Sequence, residues 1–384
     1  MELTVSQPEL ARALARVSRA VSHRSLLPVL SHLLLVARPG DRQSSTPGRL
    51  QLAATDLELC LTTWLEAEVT QPGAITIPAR PFTELVNTLP AEDLHLNLET
   101  PSQILGVHGQ GSTTHLKGMD AQEFPQLPQA DGQNSVQFLA SELRAILRRV
   151  TLAASKDEAR SALTGVFVKL VGQQASFAAA DGFRLAVHTA TLPAPVRENC
   201  QYLIPARALE ELGRVLTDSP DLVDMLLPTN APQILFRTSE IELSSQLIDA
   251  NFPEYEAVIP TEHAVQAVVP TPDFLKACKQ AEIFARDSAN TARLELLPED
   301  EGLSGKLKLF AQADETGSNE TCLEAEVKGK PVQIAFNVRF LRDVLEVIQT
   351  PHVRLEANQA NTPGVLRPHG EEGYLCVLMP MYAG

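Results

Sequence analysis

Apolar and polar positions follow the same rhythm in two distant stretches, IPARPFTELVNTLP from Ile77 and IPARALEELGRVLT from Ile204. In the first, apolar side chains fall at Phe82, Leu85, Val86 and Leu89; in the second, at Leu209, Leu212, Val215 and Leu216. Steps of three and four residues put each set on one face of a helix. Pro78 and Pro205 are expected at the first helical position, where the missing N–H costs nothing. A third, more diverged copy, IAFNVRFLRDVLEVI, carries Arg339 where the others carry Arg80 and Arg207, at intervals of 127 and 132 residues.

Other patterns recur in the same order. TVSQPELARALARV, QFLASELRAILRRV and VVPTPDFLKACKQA each read as a short strand, a polar capping residue and an amphipathic helix. LAATDLEL with Asp56 resembles FAAADGFRL with Asp181, and EFPQLP resembles NFPEYEAVIP. Alternating runs such as HLLLVA, SFAAADGFRLAVH, QILFRTSEIELSSQLI and KLKLFAQA predict strands. Four markers in constant order predict three homologous domains, 1–130, 131–260 and 261–384. Helices and strands alternate without a βαβ rhythm, so the expected class is α+β, two helices per domain packed on antiparallel sheets. The stretches 41–49, 298–305 and 359–373 are expected to be polar loops or hairpin tips.

Length agrees, since 384 residues exceed what one ordinary core organises. No positively charged segment followed by an apolar run opens the chain, so no secretory signal is expected. The greasiest stretch, 26–37, is short and broken by Ser31 and His32, so no membrane span is expected and the predicted location is cytoplasmic. Cys60, Cys200, Cys278, Cys322 and Cys376 are scattered and odd in number, which suits reduced, mostly core thiols rather than a disulfide frame or zinc site.

Charge is segregated. The net charge of −15 argues against a protein that grips nucleic acid with its whole surface. Yet the first helix of each repeat is basic, with net charges of +3 over 9–24, +3 over 141–156 and +1 over 272–286. Those helices hold +7, which leaves −22 on the remainder. Arg12, Arg16 and Arg19 share one helical stripe. Such a stripe meets phosphates without reading bases; the alternative is a solvated helix face.

Catalytic chemistry is not legible. No HxxxH or HExxH pattern occurs, GVHGQGST reads as a hairpin turn, and GLSGKLK lacks the spacing of a phosphate loop. Asp56 and Asp181 could be paired carboxylates, but as equivalent positions of a repeat they read as turn residues. No catalytic residue, metal site or cofactor is expected.

LPVLSHLLL, LAATDLEL, PGAITIPARPF, EFPQL, LTGVFV, AAADGFRLAV, YLIPARALEEL, LIDANFPEYEAVIP, AFNVRFLRDVL and VLMPM, in that order, resemble the bacterial DNA polymerase III beta subunit family, the replicative sliding clamps, over nearly the full chain. The resemblance implies two copies joined head to tail in a closed ring, with helices lining the hole and sheet outside. It implies a non-catalytic processivity factor that encircles duplex DNA without sequence preference. Its expected partners are a clamp loader, the replicative polymerase catalytic subunit, translesion polymerases, mismatch-repair proteins and ligase.

The resemblance also implies sites. A partner-peptide pocket would comprise Leu163, Gly182, Phe183, Arg184, Leu185, Pro253, Val258, Asn337, Phe340, Pro363, Val377, Leu378, Met379, Pro380 and Met381. Phe183 stands at a position often occupied by His or Tyr. Arg24, Arg80 and Arg207 match basic positions facing the hole, and Lys156 falls in a DNA-contact loop that here has Ser161 and Ala162. With the basic helices, the expected DNA-facing set adds Arg12, Arg16, Arg19, Arg144, Arg148, Arg149, Lys276 and Lys279. At the subunit boundary, Thr114, His115 and Leu116 would face Ile283 and Phe284 of the second copy. The rival reading is a three-domain interaction scaffold that never encircles DNA.

Overall fold

The computed structural model describes the chain except residues 23–26, 41–46, 129–133, 228–231, 300–303, 314, 316 and 382–384. The first third runs β1 (Glu2–Ser6), α1 (Gln7–Val17), β2 (His32–Arg38), β3 (Arg49–Thr55), β4 (Leu59–Glu66), β5 (Glu68–Gln71), β6 (Gly73–Pro78), α2 (Ala79–Thr88), β7 (Asp93–Glu99), β8 (Ile104–Gly109) and β9 (Ser112–Lys117). The second runs β10 (Ser135–Leu139), α3 (Ala140–Thr151), β11 (Gly165–Val171), β12 (Gln174–Ala180), β13 (Arg184–Thr191), β14 (Cys200–Pro205), α4 (Ala206–Val215), β15 (Leu222–Leu226), β16 (Gln233–Arg237) and β17 (Ile241–Gln246). The last runs β18 (Val265–Pro270), α5 (Thr271–Ala285), β19 (Thr291–Glu299), β20 (Ser304–Ala313), β21 (Gly317–Gly329), β22 (Val332–Asn337), α6 (Val338–Val347), β23 (His352–Ala357), β24 (Gly364–Pro368) and β25 (Tyr374–Leu378). One order therefore recurs three times, and only β5 is extra.

Every strand pairing is antiparallel among the described residues. The chain forms two compact units: 1–141 with 214–247, and 142–213 with 248–384. In the first unit, a five-stranded sheet has the order β5-β1-β7-β8-β9 and an eight-stranded sheet the order β10-β15-β16-β17-β4-β3-β2-β6. The second unit holds a twelve-stranded sheet, β14-β11-β12-β13-β25-β24-β23-β18-β21-β20-β19-β22. The helices bury their apolar stripes against these sheets: Leu10, Leu14 and Val17 of α1, Phe82 and Val86 of α2, Phe274 and Cys278 of α5, and Leu341 and Leu345 of α6. Fully burying one such side chain contributes roughly 1.5–3 kcal/mol.

Local chemistry departs from expectation in three places. Pro78 and Pro205 end strands, and their helices start one residue later, so proline's fixed φ serves the strand-to-helix corner. Ser6 makes no side-chain cap, whereas Asn337 accepts from the Arg339 N–H at 3.0 Å. The polar stretch 359–373 contains strand β24, whose Val365 and Leu366 are buried between β23 and β25. Its flanking polar residues hid a two-residue apolar core. The expected loop at 41–49 falls largely outside the described residues. GVHGQGST is the β8–β9 hairpin, with Gly111 at φ +71°.

Candidate functional site

The β12–β13 turn organises a site in the second unit. Asp181 Oδ1 accepts from the N–H groups of Phe183, at 2.8 Å, and Arg184, at 3.0 Å. Between Asp181 and Phe183, Gly182 adopts φ +92°, a conformation that a Cβ disfavours. The equivalent Asp56 accepts from Glu58 at 3.1 Å and Leu59 at 2.8 Å, but there Leu57 holds the strained φ of +80°. Both aspartates thus serve as turn residues.

That turn aims two side chains differently. Phe183 is 56% exposed. Arg184 folds inward, with Nε 3.1 Å from Asp181 Oδ2, Nη1 2.9 Å from Asp343 Oδ2, and its guanidinium 4.3 Å from the Phe340 ring centroid. The charge pairs continue: Arg342 donates to Asp343 and Glu282, each at 2.7 Å.

The described part of the carboxy-terminal tail is held by two backbone bonds. Leu378 and Val377 are buried in β25 opposite Arg184 and Leu185. The Met379 N–H then donates to Phe183 O at 2.9 Å, and the Met381 N–H donates to Ala335 O at 2.7 Å. These bonds leave Met379 40% exposed, with Pro380 and Met381 half-buried. Segment 252–259 docks through Phe252, stacked on Phe167 at 5.4 Å, and through Tyr255, while Val258 stays 44% exposed. Pro253 is exposed; Leu163, Asn337, Phe340 and Pro363 are half-buried. A cleft of about 740 Å³ adjoins the turn, and its walls include Phe183, Arg184, Asp343, Arg160, Lys156 and Arg207. It joins two members of the expected pocket to two of the expected DNA-facing set. Leu163, Val258, Pro363 and the tail do not line it.

The cationic set divides by environment. Arg12, Arg19, Arg80, Arg148, Lys156, Arg207, Lys276 and Lys279 are exposed, while Arg16 and Arg144 are half-buried. Arg24 lies outside the described residues. Several cations already have carboxylate partners: Arg16 with Glu240, Arg80 with Glu84 and Lys279 with Glu346, each at 2.8 Å. Arg149 departs from expectation, because it is buried, bonded to Glu371 through both terminal nitrogens, and 5.4 Å from the Tyr374 ring centroid. Such a cation cannot face DNA, and its basicity was misread from sequence because its partner is 222 residues away. Beside it, burial and the Arg149 charge lower the His188 pKa to about 4.

The boundary set also divides. Leu105 and Val107 of β8 are buried opposite Leu116 and Thr114, which places those two on the core side of edge strand β9. His115 alternates to the solvent side, so it does not share a face with Thr114 and Leu116. Ile283 is 58% exposed and Phe284 half-buried.

Three of the five thiols are buried, and burial raises Cys60 and Cys376 to about 12; Cys200 is half-buried and Cys322 exposed. Among the described residues, no His, Cys, Asp and Glu cluster could hold a metal ion, and no helix is long and apolar enough to cross a membrane. Sequence reasoning missed Asp343, Asp181 as a charge partner, and Arg160. Asp343 had no signal, because only folding brings it to Arg184.

Comparisons with known proteins cover the whole chain. Models of the DNA polymerase III beta subunit match over residues 1–128 (N-terminal domain), 137–254 (central domain) and 256–382 (C-terminal domain). The beta sliding clamp of Synechococcus elongatus is 34% identical over 382 residues, covering 99% of each chain. That of Bacillus subtilis is 27% identical over 392 residues, again covering 99% of each. The crystal structure of the Bacillus subtilis sliding clamp superposes with a TM-score of 0.90 at 25% identity, covering all of both chains. A Pseudomonas aeruginosa clamp bound to griselimycin gives 0.89 at 29%, with the same coverage.

Proposed function

Because the chain belongs to the DNA polymerase III beta subunit family, whose members are sliding clamps and non-catalytic processivity subunits, we propose that two copies close head to tail around duplex DNA. The three domains would be 1–130, 131–260 and 261–384. The observation that carries this reading is the threefold recurrence of one element order, with exposed cations on the first helix each time, Arg12, Arg148, and Lys276 with Lys279. A ring slides because its grip is topological, so its phosphate contacts are weak, non-specific and sensitive to salt.

The site around Phe183, Arg184, Val258 and Met379 is proposed as the docking pocket for short peptide segments of partners. Those partners are the clamp loader, the polymerase catalytic subunit, translesion polymerases, mismatch-repair proteins and ligase, working in the cytoplasm. A flexible thioether and an exposed aromatic on a rigid turn suit one groove that serves several sequences. Exposed cations, Lys156, Arg148 and Arg207 among them, are proposed to face the DNA.

The test is to load the protein on nicked circular DNA with a competent loader and then linearise the circle. A ring falls off the cut ends. Retention after cutting, or failure to load, supports the rival scaffold instead.

A further inference from the structure

The turn at Asp56 repeats the turn at Asp181, and the equivalence extends well beyond the aspartate. Leu59 of β4 stands opposite Ser245 of β17, as Arg184 of β13 stands opposite Leu378 of β25. One residue on, the Gln246 N–H donates to Glu58 O at 2.9 Å, as the Met379 N–H does to Phe183 O. Leu34 pairs with Ala53 as Phe167 pairs with Ala178, so residues 27–34 match 160–167. One hydroxyl bond fixes that match: Ser31 donates to Pro28 O at 2.7 Å, and Thr164 donates to Ser161 O at 2.8 Å. Phe124 packs with Leu30, Leu34 and Ala53, much as Phe252 and Tyr255 pack with Phe167 and Ala178. The first unit therefore holds a second copy of the framework that carries Phe183 and Met379.

The side chains on the two frameworks differ in kind. Where one turn has Gly182, Phe183 and Arg184, the other has Leu57, Glu58 and Leu59. Leu59 is buried at the place where Arg184 ties in its charge pairs. Leu27 takes the place of Arg160, whose guanidinium reaches over its turn to Asp181 O at 3.0 Å. Both new leucines face solvent, Leu27 at 53% exposure and Leu57 at 51%. Leu57 also holds φ +80°, a region that glycine enters freely and leucine enters under strain. An exposed side chain gains nothing from burial to offset that strain, and outliers of this kind cluster at binding sites. Carboxylates surround the leucines: Glu58 on the turn and Glu123, just before Phe124, are exposed, and Asp56 is half-buried.

We infer that the Asp56 framework is a second docking place for partner segments, and that its occupant is a short peptide with apolar anchors flanked by lysine or arginine. The inference rests on the reading of the Phe183 framework as a peptide pocket, and adds a second place with its own selectivity. The occupant follows from the chemistry. Aliphatic or aromatic anchors cover Leu27 and Leu57. Cations beside those anchors meet Glu58 and Glu123, which an uncharged chain would desolvate without compensation. An acidic segment meets like charge and is rejected. Because the carboxylates lie at an exposed rim, they discriminate between segments and respond to salt more than they add affinity.

The test uses the full chain and the fluorescence anisotropy of a short labelled peptide with leucine and phenylalanine anchors flanked by lysines. Two control peptides carry glutamate flanks, or serines in place of the anchors. The lysine-flanked peptide is expected to bind, and Leu57→Gly and Glu58→Lys should each weaken it by about tenfold. Leu57→Gly relieves backbone strain, so its effect on binding is not an effect on folding. Phe183→Ala should leave this peptide unaffected.

No binding of the lysine-flanked peptide, or binding that survives Leu57→Gly and Glu58→Lys, overturns the inference. Equal binding of either control peptide also overturns it, since charge alone or apolar contact alone then suffices. A peptide lost with Phe183→Ala instead of Leu57→Gly occupies the other pocket, which sinks this inference and leaves that reading standing. Self-association that Leu57→Gly abolishes assigns the face to a second copy and likewise overturns it. Polymerase peptides indifferent to Phe183→Ala overturn the first pocket, whatever the lysine-flanked peptide does.

Discussion

Arg184 donates to Asp343 at 2.9 Å, although 159 residues separate them, and the guanidinium lies 4.3 Å from the Phe340 ring centroid. A β-hairpin turn and a helix thus meet through one nearly buried cation, whose second carboxylate, Asp181, belongs to the turn itself. The arrangement fixes the floor from which Phe183 projects.

Removing that cation leaves two partly buried carboxylates facing each other. Arg184→Ala is expected to destabilise the second unit by about 3 kcal/mol and to weaken a partner peptide by about tenfold. Urea unfolding and fluorescence titration check the two effects. Unchanged peptide affinity would remove Arg184 from the pocket.

Arg148 and Arg149 are neighbours with opposite expected behaviour. Arg148→Ala should lower the salt slope of DNA affinity by about one unit and leave stability within about 0.5 kcal/mol. Arg149→Ala should cost about 3–5 kcal/mol, because it strands Glu371, and should leave the salt slope alone. Paired melting curves and salt titrations decide this, and the reverse pattern would refute the burial argument.

Deleting Met379 to Gly384 removes the Met379 N–H bond to Phe183 O and the Met381 N–H bond to Ala335 O. Binding of polymerase peptides is expected to disappear while the dimer persists, since the residues expected at the subunit boundary, Thr114, Leu116, Ile283 and Phe284, lie outside the deleted segment. Met379→Ala alone should reduce peptide affinity by about tenfold. A deletion that binds peptide normally rejects the pocket.

The two homologous turns respond oppositely to glycine. Gly182→Ala should cost about 1 kcal/mol, because φ is +92° there. Leu57→Gly should gain part of about the same amount by relieving its φ of +80°. Denaturant midpoints at constant slope measure both.

His188 sets a pH window for the stability of the fold. Its pKa falls from the ordinary 6.5 to about 4 in the folded chain, so the unfolded chain binds the proton more readily. The stability it contributes is complete above about pH 6.5 and is lost as pH falls through 4, amounting to up to about 3 kcal/mol. His188→Gln should shift the acid unfolding midpoint downward, unless the lost packing on Tyr374 dominates at neutral pH; comparing the pH slope rather than the midpoint separates the two. A variant with the wild-type slope between pH 6.5 and 4 would count against His188 as the titrating group.

What the sequence determined by itself was everything with a local cause. Repeated spacing of apolar residues gave three copies of one plan, period-two alternation gave strands, and Asp56 and Asp181 were legible as turn residues because an Asx turn closes within three residues. The expected stripe of Arg12, Arg16 and Arg19 was legible only in part, because the α-helix ends at Val17, Arg19 falls in the 3-10 turn after it, and Arg16 is half-buried on Glu240. Tertiary structure decided what depends on partners far along the chain. It buried Arg149 against Glu371, brought Asp343 to Arg184, carried Met381 to Ala335, and hid β24 inside a stretch that reads as polar. It also turned His115 away from Thr114 and Leu116, a consequence of strand alternation that needed the register before it could be seen. Desolvation and charge pairing act through space, and the order of residues does not record those distances.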